Sequence, residues 1–290
     1  MNDQASALRQ IVQNIKGQRV RTPGDGARIV AVTSGKGGVG KTNFTVNLAI
    51  ALSRKGLRVI VIDCDFGLSN VDVIMGMTAP FDLSHVVHFQ KDIREVIAEG
   101  PNGVRFIAGG SGVQELLNLN DAQLARLIDN LAHLENTADI ILLDTGAGIS
   151  SGVLRVLMAA QEVVVVTTPE PTSMMDAYAL IKTLVSSGGD SKMRLVVNRA
   201  DSIAEAQETL SKFASVVRLY LHLEMEELGY VLFDSTVSRA VKSQTPFIIG
   251  FPKSTAARNI ESITWKLMDI KPETTGSGFR QFLTRLVKKH

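Results

Sequence analysis

The segment Gly35-Lys36-Gly37-Gly38-Val39-Gly40-Lys41-Thr42 holds the residue types needed to wrap a phosphate chain, and Asn43 opens a helical window directly after it. Glycines let the backbone turn its amides inward, the helix N-terminus adds a favourable dipole, Lys41 neutralises charge, and Thr42 can ligate magnesium. Carboxylates stand at the ends of two apolar runs. Asp63 and Asp65 close Arg58 to Ile62 with a spacing of two, which puts both on one side of an extended strand, and Asp144 closes Ile140 to Leu143 ahead of the flexible Thr145-Gly146-Ala147-Gly148. Phosphoryl transfer to water with a divalent ion needs such oxygens beside a phosphate loop.

These groups must be gathered by a scaffold, and the sequence supplies one. Apolar runs at Arg28 to Thr33, Arg58 to Asp63, Val104 to Ala108, Asp139 to Leu143, Glu162 to Thr167, Arg194 to Asn198 and Tyr230 to Phe233 alternate with amphipathic windows. Most of them are continuously apolar, as expected of strands covered by helices on both faces, so the spacing predicts one doubly wound α/β domain with a mainly parallel sheet over 28–270. Ligands should gather at the C-terminal ends of its strands. The loop run from Ile29 through Arg54 then satisfies the strand, glycine loop and helix context of a Walker A phosphate loop.

At 290 residues and 45% apolar, the chain can bury its own core, which excludes disorder and a stapled mini-scaffold. Its single cysteine, Cys64, rules out a disulfide framework and a cysteine cluster, and points to a cytosolic protein. No run approaches the ~18 apolar residues of a membrane span. Asp3, Gln4 and Arg9 stand where a signal peptide needs an apolar core. A net charge of +2 is too small for a surface that attracts nucleic acid as a whole, and no specific nucleic acid is expected. His85, His88, His133, His222 and His290 lack metal-ligand spacing, and Gly109-Gly110-Ser111-Gly112 is too short for a second phosphate loop.

Lys36 is not required by the basic phosphate-loop pattern. It resembles the signature lysine of the MinD/ParA group, the deviant Walker A ATPases, and that resemblance implies ATP-dependent homodimerisation, with Lys36 reaching the partner's nucleotide. It also implies ATP, ADP and Mg2+ as ligands, Asp65 as the residue orienting water, Asp63 in the magnesium shell, and Asp144 bound to magnesium through water. Many members carry proline where Gly146 stands. Thr167-Thr168-Pro169-Glu170-Pro171 resembles the loop whose glutamate contacts ribose across the dimer, which gives that role to Glu170 and puts Asp176 at the interface. Val197-Asn198-Arg199 resembles the adenine-reading strand end, with Asn198 bonding the base, and Leu232-Phe233-Asp234 stands where relatives commonly have a proline near the adenine. Single-cysteine composition excludes the iron-sulfur carrier members.

Two terminal segments lie outside the core. Over 1–27, Leu8, Ile11, Val12 and Ile15 form one helical stripe before a Pro/Gly turn. The opening Asp3-Gln4-Ala5-Ser6-Ala7-Leu8-Arg9 resembles that of the FlhG (FleN/YlxH) family, in which Asp3, Gln4, Ala5, Leu8 and Arg9 match the element that activates the FlhF GTPase. A linker-like stretch, 271–277, precedes 278–290, where Phe279, Phe282, Leu283, Leu286 and Val287 follow helical spacing among Arg280, Arg285, Lys288 and Lys289. This resembles the membrane-targeting helix of MinD and implies reversible attachment to anionic lipids on the inner face of the cell membrane. Together the resemblances imply an ATPase that regulates flagellar number and placement, with a flagellar C-ring protein or a transcription factor as further candidate partners. The alternative is a division-site MinD or a ParA-type partition ATPase.

Overall fold

A computed structural model of the chain describes residues 26–65, 70–88, 90–110, 134, 137–269, 282, 285 and 286. Its strands are β1 (Arg28–Ser34), β2 (Val59–Cys64), β3 (Ala98–Glu99), β4 (Arg105–Ile107), β5 (Ile140–Ala147), β6 (Glu162–Thr167), β7 (Lys192–Ala200) and β8 (Glu226–Leu232). Seven of them overlap the seven apolar runs, although β8 starts four residues before Tyr230 and β5 runs four past Leu143. The exception, β3, is too short to leave a periodic signal. The sheet order is β3-β4-β2-β5-β1-β6-β7-β8, and every pairing is parallel except that of β3 with β4.

The continuous apolarity of the strands is explained by what covers them. Ile29, Ala31, Ile60, Ile62, Ile141 and Val163 face one core, shared with α5 (Ser151–Ala159), α6 (Pro171–Ser186) and α7 (Ile203–Leu221). Their sequence neighbours Val30, Val32, Val59, Val61, Leu142 and Val164 face the other, shared with α1 (Lys41–Arg54) and α10 (Thr255–Asp269). Each fully buried branched side chain contributes roughly 1.5–3 kcal/mol, so both faces are sealed by the same alternation. The remaining described helices, α2 (Val71–Met75), α3 (Leu83–Val87), α4 (Ile93–Val96), α8 (Ser235–Lys242) and α9 (Phe247–Gly250), are short pieces around the sheet ends.

At the N-terminal end of the central strands the chain buries charge. Arg28 forks onto Glu162 (2.6 Å from Nη2 to Oε2) and donates to the Leu267 carbonyl at the end of α10 (2.7 Å). The fully buried Arg194 meets the same Glu162, and its Nε donates to Glu226 at 3.1 Å. Burial pushes both Arg28 and Arg194 down to about 10, still charged at neutral pH.

Phe282 and Leu286 are helical and buried in the core that α5, α6 and α7 share, and Arg285 lies 3.6 Å from Asp190 in the turn before β7. Two residues of the predicted terminal stripe, Phe282 and Leu286, thus lie against the domain. Phe279, Leu283, Val287, the linker 271–277 and the N-terminal Asp3, Gln4, Ala5, Leu8 and Arg9 lie outside the described residues. No described helix is long and apolar enough to cross a membrane.

Candidate nucleotide site

β1 occupies the middle of the sheet, and the loop that follows it, residues 35–40, is shaped by glycine where geometry requires it. Gly38 and Gly40 have φ of 78° and 91°, in the left-handed region. A Cβ on Gly35 would sit 2.1 Å from the backbone carbon of Asp176, so the loop runs against α6 with no room between. Gly37 faces open space. α1 then begins at Lys41 with no side-chain cap, which leaves first-turn N–H groups for an anion. Asn43, in that turn, accepts from Asn47 through its carbonyl.

Asp144 lies within β5, which runs on through Thr145, Gly146 and Ala147 where the sequence predicts a loop, and it is fully buried against the first turn of α1. Lys41 Nζ lies 3.1 Å from its Oδ2, Thr42 donates to Oδ2 at 2.7 Å, and Thr45 donates to Oδ1 at 2.7 Å. Lysine, threonine and carboxylate therefore stand together where a phosphate chain and an ion would be held. Hydroxyl and carboxylate oxygens side by side suit Mg2+, which takes few protein ligands and completes its shell with phosphate and water. Among the described residues no trio of His, Cys, Asp or Glu converges as a self-sufficient metal cage.

Asp63 is in register with Asp144 across β2 and β5, but its oxygens are taken by backbone amides. Oδ1 accepts from Asp65 (2.9 Å), and Oδ2 from Asn70 (2.9 Å) and Val71 (3.3 Å). The resemblance implies a place for Asp63 in the ion's shell. The geometry gives it the task of tying the amide of Asp65 to those of Asn70 and Val71. Burial, and then the charge of Asp144, push the Asp63 carboxyl up to about 6 against the pull of those amides. Asp65 is partly buried beside Gly146, whose missing side chain leaves 3.1 Å between a Cβ position and Asp65 Oδ1. Asp65, just past β2, thus lies against Gly146 of β5.

Lys36 is exposed and lies 3.2 Å from Glu170 and 3.3 Å from the Thr172 hydroxyl. The two residues that the resemblance sends across a dimer seam therefore stand side by side on one subunit. Asp176 is exposed on α6, one turn beyond. Asn198 donates to the Val39 carbonyl at 2.7 Å, tying the end of β7 to the phosphate loop and leaving its Oδ1 for a base amine. Arg199 is exposed with a left-handed φ of 60°. Leu232 donates its amide to Asn259. Asp234 has a structural occupation: it caps α8 through Thr236 and also accepts from the Thr255 and Ala256 amides that begin α10. Burial opposes its charge, yet these bonds together hold the carboxyl below the usual range.

Two functional neighbours escaped sequence reasoning. Thr45 holds Asp144 from one turn beyond Thr42, a signal present in the Thr42-Asn43-Phe44-Thr45 spacing. Thr172 receives Lys36, and nothing in its sequence context marks it.

A glycine loop between a central parallel strand and a helix, with lysine, threonine and a strand aspartate in contact, defines a P-loop nucleoside triphosphatase. The family model described as "ParA: NUBPL iron-transfer P-loop NTPase" matches residues 26–268. Antiactivator FleN of Pseudomonas aeruginosa is 36% identical over 91% of this chain and 94% of that protein. The flagellum site-determining protein YlxH of Helicobacter pylori is 34% identical over 99% of both. The fold matches the MinD cell division protein of Aquifex aeolicus with a TM-score of 0.69 and 21% identity, over 85% of this chain and 99% of that one. MinD complexed with Mg-ADP from Pyrococcus horikoshii gives a TM-score of 0.67 and 21% identity, over 84% and 96%. The chain belongs to the ParA family of P-loop NTPases and, within it, to the FlhG group of FleN and YlxH. It is an ATPase. Its one cysteine, Cys64, is buried, and burial pushes the thiol up.

Proposed function

We propose that this ATPase is a MinD-type switch that dimerises with ATP at the membrane, regulates flagellar number and placement, and stimulates the FlhF GTPase through its N-terminal helix. Its nucleotides are ATP and ADP, and Mg2+ supplies charge neutralisation at the phosphate oxygens when bound. The observation that carries the reading is the edge formed by the phosphate loop, Lys36 and Glu170, joined to similarity with FleN and YlxH that runs nearly from end to end.

Lys41 is already desolvated beside Asp144 and can turn to the phosphates, while Thr42 and Asp144 hold the ion, the latter through water. Asp65 positions the attacking water. No protein nucleophile is needed, so rate rests on positioning and charge, as suits a slow switch. The Lys36–Glu170 pair is solvent-exposed and worth less than about 1 kcal/mol, so a second subunit can exchange it at little cost. Phe282 and Leu286 must leave their wall before the tail can enter lipid, so membrane residence is coupled to a change in the domain.

Static light scattering of Asp65→Ala with saturating Mg-ATP tests the core of this reading, and a stable dimer is expected. A monomer would refute the switch. In parallel, purified FlhF is expected to lose its GTPase stimulation when residues 1–20 are removed, and undiminished stimulation would refute the role of the N-terminal helix.

A further inference from the structure

At the opposite end of the sheet from the nucleotide site lies a cavity of about 460 Å3 lined by Ser53, Gly56, Arg58, Gly103, Arg105 and Thr137. Two guanidiniums reach it, Arg105 from the start of β4 and Arg58 from the residue before β2. Arg105 opens β4 in register with Ile60 of β2, two residues past Arg58, so both arginines stand at the N-terminal edge of the sheet.

The charges there do not balance at contact range. Asp139 is engaged by Arg58 through both oxygens, at 2.8 Å from Nη2 and 2.8 Å from the Arg58 amide. Arg105 spends one N–H on the Thr137 carbonyl, and the carboxylates of Glu99 and Asp139 act on it through their charge. Glu99 sits across the β3–β4 register from Arg105 but does not line the cavity. Partial burial and then the neighbouring Arg58 charge depress the Arg105 guanidinium. A cation crowded by a second cation, with unspent N–H groups facing a cavity, is completed by a bidentate oxyanion.

The geometry points to an oxyanion site of the phosphate class, held by Arg105 with Arg58 beside it, separate from the phosphate loop. Its ligand is a phosphate group, carried either by a soluble molecule or by a lipid headgroup. Arg105 is the residue that contacts it; Arg58, fixed by Asp139, supplies the second positive wall.

The test uses the full chain saturated with Mg-ADP, so that the phosphate loop is already filled. Calorimetry with inorganic phosphate is expected to show one weak site, weakened at least about tenfold in Arg105→Gln, a loss of about 1.4 kcal/mol. Flotation with vesicles of phosphatidylcholine alone, or with phosphatidylglycerol added, separates the sources. If Arg105→Gln lowers the phosphatidylglycerol-dependent fraction and phosphate competes with it, the ligand is a headgroup. If flotation is equal and only phosphate binding falls, the ligand is soluble. Should Arg105→Gln unfold, Ser53→Asp puts a carboxylate into the cavity wall and is expected to block phosphate equally. No phosphate heat in the ADP-loaded wild type, or heat unchanged in the variants, overturns the site.

Discussion

The two ends of the sheet both bury charge, and they close it differently. At the N-terminal end Arg28, Glu162, Arg194 and Glu226 compensate one another across β1, β6, β7 and β8, with full charges opposite full charges. At the C-terminal end Asp144 is held by a lysine and two hydroxyls, and Asp63 by loop amides. Hydroxyls and amides can change partners when a triphosphate and an ion arrive, whereas a carboxylate shared by two buried arginines cannot be released without stranding them. Closed pairing serves the fold; exchangeable pairing serves the reaction.

The largest expected effect separates the two ends directly. Glu162→Gln leaves Arg28 and Arg194 without their shared counter-charge, and breaking a buried pair costs about 3–5 kcal/mol. Denaturant melts should show that loss, while Mg-ADP affinity of the folded fraction stays unchanged. A parallel loss of nucleotide affinity would mean that the two ends are not independent.

Lys41→Ala acts at the other end and should do the reverse. Removing the charge-assisted contact to phosphate costs about 3 kcal/mol, so calorimetry should show Mg-ADP binding weakened roughly 100-fold or more. Stability without nucleotide should change less, because the Asp144 carboxylate keeps Thr42 and Thr45. An apo-state loss as large as that of Glu162→Gln would erase the distinction drawn here.

The third expectation concerns pH. The folded-state value of Asp63, about 6, lies above its unfolded value near 3.8, so protonation favours the folded state. Its contribution is complete below the unfolded value and disappears as pH rises through about 6. Urea melts of the wild type and Asp63→Asn at pH 5 and pH 7.5 should therefore differ in slope, with the wild type losing on the order of 1–2 kcal/mol more across that interval. Equal pH dependence in both proteins would show that Asp63 is not the strained carboxylate.

Much of this site was legible because its residues sit where apolar run, glycine loop and carboxylate spacing coincide. Lys41, Thr42 and Asp144 were placed together by pattern alone and do meet. What sequence could not give was how each oxygen is spent. Asp63 and Asp234 read as ligand residues, yet hydrogen bonds to nearby backbone amides occupy them, and such bonds depend on how a loop returns or where a second helix starts. The tail's periodicity likewise marked Phe282 and Leu286 as one face without saying what that face would meet, because an apolar stripe suits lipid and protein equally. β3 carried too few residues for any period to register.

The smallest effect tests the link between Asp65 and β5. Gly146 lacks a left-handed φ, so alanine is compatible with its backbone, and the added Cβ would meet Asp65 Oδ1 at 3.1 Å and Val153 Cγ2 at 3.6 Å. The valine contact is ordinary. The carboxylate contact is tight enough to move Asp65 by a few tenths of an ångström while leaving the phosphate loop alone. Gly146→Ala should thus lower kcat for ATP hydrolysis about 3- to 10-fold, roughly 1 kcal/mol of activation free energy, with Mg-ADP affinity and Tm close to the wild type. Were kcat unchanged, the water-orienting role would not depend on where Asp65 rests in the free subunit. That contact would then belong with the fixed pairing at the other end of the sheet.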